Sequence, residues 1–188
     1  MEAHPDSRIW NKASTVRRFE RPSSIDLHET WMKLPSEPVL NRELSSEVGQ
    51  PVVKLEVIPI TDGETLKVTF KRKSGEWRQG IWLGVEGALE VAGTRADQLE
   101  IWTDTASASF EVKVIRTDDG LLRLCNIWDS SRGRRRESQS ETSGMLKEQK
   151  DRTTVSRAND IGQPPKFDKL VFEVSRIFTL TGFSPSSF

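Results

Sequence analysis

From Val52 onward the chain alternates. In VVKLEVIPI, Val53, Leu55 and Val57 interleave with Lys54 and Glu56; in TLKVTFKRK, Leu66, Val68 and Phe70 interleave with Lys67, Thr69 and Lys71. A period of two puts each set on its own side of a pleated strand, so both segments read as half-buried strands. The Asp62-Gly63 step between them has the chemistry of a tight turn and predicts a hairpin. Further period-two runs occupy 80–85, 88–91, 99–102, 110–115, 121–128, 153–157 and 169–174. Turn signals at Ser74-Gly75, Gly93, Asp118-Asp119-Gly120 and Gln163-Pro164-Pro165 separate most of them. About nine short strands with no amphipathic helix between them predict an all-β fold, an antiparallel β-sandwich of jelly-roll type or a barrel, over any βαβ arrangement.

The pattern fails at both ends. Residues 1–51 carry prolines at 5, 22, 35, 38 and 51 with no sustained apolar period, and predict an extended N-terminal arm. One short helix over 24–33 fits within it, capped by Ser24. The β-domain then spans 52–177, and 178–188 form a loose tail without an evident packing partner. No internal repeat points to a propeller or solenoid.

Charge narrows the partners. Twenty-eight basic and 28 acidic side chains give a formal net charge of zero, so no global field attracts nucleic acid or an acidic membrane surface. Even the most apolar segment, Gln79 to Val91, is interrupted by Gly80, Gly84, Glu86, Gly87 and Glu90, which argues against a membrane protein. The lone cysteine, Cys125, allows no intrachain disulfide, and no signal-like apolar run opens the chain. A reducing, cytoplasmic location is the expectation. Cys125 lies in an apolar run, which fits an inert buried thiol rather than a nucleophile.

Six tryptophans and no tyrosine are the most informative choice of residues. In GIWLGVEG the aliphatic phase is Ile81, Leu83 and Val85, so Trp82 faces the other way with Gly80, Gly84 and Glu86. In QLEIWTD the aliphatic phase is Leu99 and Ile101, which puts Trp102 opposite with Glu100. Trp128 lies in LLRLCNIWD, where both phases are apolar. Rings, small residues and carboxylates on one face suit a ligand site: glycine leaves room, indole supplies apolar area and a donor, and the acid orients the guest. On this reading Trp82, Trp102 and Trp128 bind the ligand, and Glu86 and Glu100 form the catalytic pair. The competing reading makes this face a second inner layer, or one covered by the arm through Trp10, Phe19 or Trp31. Glu90 with Asp129 is an alternative carboxylate pair.

Two loops offer further chemistry. Arg132, Arg134, Arg135 and Arg136 could grip a phosphate or carboxylate, with Arg134 and Arg135 as the expected ligand-binding pair, or could simply pair with Glu137 and Glu141. The aromatic interleaving and wide basic stripe of nucleic-acid binding are missing, so no nucleic-acid partner is expected. Asn159, Asp160 and Asp168 surround a Gly and Pro turn, where they fit either a calcium site or ordinary Asx turns. His4 and His28 both lie in the arm, which leaves a histidine metal site or Ser-His-Asp triad without a place in the β-domain. GVEGALEVAG lacks dinucleotide-binding spacing, and no cofactor is expected.

These features point first to a small-molecule-binding β-domain acting as a cofactor-independent enzyme, a cyclase or isomerase, on a largely apolar metabolite. Catalysis by orientation leaves little motif behind. A carbohydrate-binding module stacking sugars on tryptophan is the second reading. The third is a protein-interaction scaffold using the arm or the arginine loop.

Overall fold

A computed structural model of the chain describes residues 16–18, 34–130 and 136–177. In chain order its elements are β1 (Val16–Arg18), β2 (Val39–Leu40), α1 (Arg42–Val48), β3 (Val53–Pro59), β4 (Thr65–Lys73), β5 (Arg78–Val91), β6 (Thr94–Trp102), β7 (Ser109–Asp129), β8 (Gly144–Lys150), β9 (Thr153–Asn159) and β10 (Leu170–Ile177). Every strand pairing is antiparallel, so the fold is all-β as the alternation predicts. The helix predicted over 24–33 and the 178–188 tail lie outside the described residues. No helix among the described residues is long and apolar enough to cross a membrane.

The hairpin expected at Asp62-Gly63 does not form. β3 and β4 instead run on along one edge of β7, with Val57 opposite Arg123 and Thr65 opposite Lys113. Backbone bonds from Gly63 N to Val114 O and from Val114 N to Glu64 O, each 2.8 Å, hold the chain against β7 through the irregular step. Gly63 adopts φ +78°, a conformation glycine takes without steric penalty. The Asp118-Asp119-Gly120 turn signal likewise falls inside a single long strand. The Asp62 carboxylate accepts the Thr117 N–H at 2.7 Å, and Thr117 stands opposite Gly87, where the β5–β7 register also shifts. The step between β3 and β4 and the register shifts of β5 against β7 therefore fall at one level of the sheet.

The pairing β7–β4–β10–β9–β8–β3 returns to β7, making a ring of six strands, with β5 and β6 extending from the other edge of β7. The ring joins β3 to β8 through one residue pair, Val53 with Met145. Gly144 permits that approach, because a Cβ there would stand 2.5 Å from Val52 Cγ1. One apolar core gathers Val68, Met145, Ala158, Phe172 and Val174 from the ring and the aliphatic faces of β5 and β6, including Ile81, Leu83, Leu99 and Ile101.

Residues 34–51, expected as an extended lead-in, contain β2 and α1. Asn41 caps the helix by accepting the Leu44 N–H at 3.1 Å, and Gly49 ends it in the left-handed region at φ +76°. The same Asn41 donates through Nδ2 to the carbonyls of Glu141 (2.6 Å) and Ser143 (3.0 Å), tying the helix start to the segment before β8. Arg123, completely buried on β7, holds the start of this stretch: Nε donates to Pro35 O at 2.8 Å and Nη2 to Leu34 O at 3.4 Å.

Candidate functional site

Trp82 and Trp102 face as the strand phases predict, and both are buried. Trp82 and Trp102 form a second apolar cluster with Leu55, Cys125 and Ile127, and Leu34 and Val39 pack over it. Trp82 retains 8% exposure, Trp102 4% and Trp128 1%. The glycines that were expected to leave room for a ligand leave room for the rings. A Cβ on Gly84 would stand 2.2 Å from the six-membered ring of Trp82, and one on Gly80 would stand 3.1 Å from Trp102 Cε3. This face packs as a second apolar layer, and Arg78 closes part of its rim, 4.4 Å above the Trp102 ring and bonded to Asp104 at 2.8 Å.

The expected acids are not brought together as a pair. Glu100 stands opposite Trp82, whereas Glu86 lies in the β5 bulge beyond the last residue paired in that stretch, Gly84. The Glu100 carboxylate meets Arg136 at 3.3 Å. Glu90 and Asp129 belong to opposite ends of the β5–β7 ladder, with Glu90 opposite Lys113 and Asp129 opposite Arg78. A hydrogen bond from Arg95 holds the Glu90 carboxyl below its ordinary pKa. Of the arginine run only Arg136 is among the described residues; Arg134 and Arg135 lie outside them. Burial pushes the Cys125 thiol up to about 12, outweighing the Arg136 charge and a hydrogen bond with Gln139, so the thiol stays protonated and unreactive.

At Asn159 and Asp160 the side chains make the Asx-type hydrogen bonds that are one of the two readings of this turn. Asn159 Oδ1 accepts the Lys166 N–H at 2.9 Å, and the two Asp160 oxygens accept from Gln79 Nε2 (2.9 Å) and Gly162 N (3.2 Å). Through the buried Asn159 and Asp160 these bonds stitch the loop to the end of the core. Asp168 pairs with Arg72 at 3.6 Å instead of joining them.

An open site exists elsewhere, at the mouth of the ring. Along β8 the inward phase passes from Met145 to Lys147 and Gln149, along β9 from Ala158 to Ser156 and Thr154, and along β10 from Val174 to Arg176. Along β3 it passes from Ile60 through Ile58 to Glu56. In each strand an apolar interior gives way to hydrogen-bonding groups. They border a groove of about 380 Å³ floored by Ile58, Leu66, Leu124 and Val174. It opens where β3 and β8 separate beyond their single pair.

Two ion pairs flank it. Glu56, only 6% exposed, is anchored through Oε1, which accepts the Val57 N–H at 3.2 Å, while Oε2 meets the Lys147 ammonium. Arg176 pairs with Glu64 and donates to Pro59 O at 2.5 Å. Sequence periodicity does not reveal this groove, because Lys147 and Gln149 put polar side chains on the inward phase of β8. Comparison with protein-family models, curated proteins and solved structures finds no match. The site is therefore argued from its geometry as that of an antiparallel all-β protein.

Proposed function

We propose that this chain binds a small molecule in the mouth between β3 and the β8–β10 wall, treating the six-strand ring as a barrel rather than as two facing layers. The carrying observation is the change of inward-facing side chains from apolar to polar around a groove of about 380 Å³. That volume lies within the usual range of ligand sites, roughly 300–1,000 Å³, and an apolar floor with a few convergent polar groups is their usual composition. Small-molecule binding, the first expectation from the sequence, thus keeps support at a different address. Sugar stacking has less support, since Trp82, Trp102 and Trp128, its expected platforms, are buried. The Glu56 carboxylate as proton acceptor and the Lys147 ammonium as proton donor, meeting over an apolar floor, also supply the base and acid that cofactor-independent isomerisation uses.

Protein-observed methyl NMR with a fragment library tests the reading. Fragments should shift the methyl signals of Ile58, Leu66, Leu124 and Val174, and Thr154→Trp, which puts an indole into the mouth, should abolish those shifts. Fragments that bind the Thr154→Trp variant with unchanged affinity would overturn it.

A further inference from the structure

We infer that the ligand of the barrel mouth is a small zwitterion with an apolar body, of the class of an apolar dipeptide. This rests on the mouth being the binding site.

The inference starts from a charge pair in a costly position. Deeper in the ring the inward positions are apolar, as in Val68, Met145, Ala158 and Phe172. Glu56 shares that inward phase and is almost dry, yet it carries a carboxylate against Lys147. A buried ion pair is commonly no more stabilising than apolar residues of similar size, so packing alone does not call for one here. The pair also sits at the opening, where β3 and β8 no longer bond to each other.

Charge balance then selects the guest. Glu56 and Asp151 line the groove with Lys147, Arg152 and Arg176, and Arg176 is matched by Glu64. Three acids against three bases leave no net field for an ion of one sign. A purely anionic guest drawn to Lys147 would strip the nearly dry Glu56 of its partner, and a purely cationic guest on Glu56 would face the Lys147 ammonium, a third exposed, as a like charge. A molecule carrying both signs avoids either loss. Its ammonium takes the Glu56 oxygen, its carboxylate takes Lys147, and one ion pair becomes two. The apolar side chains then cover Ile58, Leu66, Leu124 and Val174.

The test compares three ligands on the unaltered chain by methyl NMR titration: leucyl-leucine, its N-acetyl form, which is only anionic, and its amide, which is only cationic. Leucyl-leucine should bind at least tenfold more tightly than either blocked form. Glu56→Gln should remove the advantage over the N-acetyl form, and Lys147→Met the advantage over the amide. Equal affinities for all three overturn the zwitterion while leaving the mouth as a site. The same follows if neutral fragments bind there and leucyl-leucine does not. Silence from dipeptides and fragments alike removes the site and this inference together. The comparison on the unaltered chain decides the matter even if a variant fails to fold.

Discussion

Replacing Arg123 with methionine should be among the most damaging single changes to this fold. The guanidinium is fully buried and donates to Pro35 O at 2.8 Å, Leu121 O at 3.0 Å and Leu34 O at 3.4 Å, while Nη2 lies 2.5 Å from the Asp119 carboxylate. Methionine keeps part of the apolar stem and removes every donor. Breaking a buried pair by removing one partner costs about 3–5 kcal/mol, and the lower end applies because Asp119 retains 17% exposure and can take up water. A loss of about 3 kcal/mol lowers Tm by about 6–12 °C in a chain of this size. Thermal unfolding followed by circular dichroism measures the shift. Limited proteolysis should show new cleavage within 34–41, since the clamp that holds Leu34 and Pro35 is gone.

The partner supplies a pH signature. Burial raises the Asp119 carboxyl, but the hydrogen bond from Arg123, the Leu121 N–H and the Arg123 charge outweigh it and hold the group below its ordinary value. A depressed carboxylate contributes stability that is full above its unfolded pKa, about 4, and is lost as pH falls through the folded value. Wild type should therefore lose stability on acidification below about pH 4 more steeply than Asp119→Asn does. If Arg123→Met melts within about 2 °C of wild type, a shift worth less than about 1 kcal/mol, the buried clamp is not what holds the lead-in.

Other changes test the remaining features. Gly84→Ala drives a methyl into the Trp82 ring and should cost about 1–3 kcal/mol with a shift in tryptophan emission; an unchanged spectrum and Tm would mean that the ring does not lie over this glycine. Asn159→Ala orphans the Lys166 N–H and the Thr142 and Gly162 carbonyls and should cost about 3 kcal/mol in urea unfolding. Millimolar calcium should leave the wild-type Tm unchanged, and a rise would restore the metal reading of this loop. Cys125, with its thiol pushed up to about 12, should react with an aromatic disulfide reagent at pH 8 only as fast as the protein unfolds. Rapid labelling of the native chain would contradict its burial.

Strand phase was legible because aliphatic residues repeat cleanly. Ile81, Leu83 and Val85 fixed which way Trp82 points, and Leu99 and Ile101 did so for Trp102. Whether a ring is wet depends on what crosses it, and Leu34 and Val39 come from a proline-rich stretch with no period to announce them. Asp62-Gly63 and Asp118-Asp119-Gly120 carry turn chemistry that serves equally well in a bulge, and only long-range pairing distinguishes the two. β8 escaped notice for the reason that makes the mouth a site: Lys147 and Gln149 stand on its inward phase, so GMLKEQK shows no alternation to detect. A strand whose concealed side is polar reads as a loop.

The single ladder pair between Val53 and Met145, with the Glu56–Lys147 ion pair beside it, gives the ring a latch. Unfastening it breaks none of the extended ladders that β7 makes with β3, β4 and β5, so the doorway can widen while the frame stands. Local opening at that seam and global unfolding are then separate events with separate barriers.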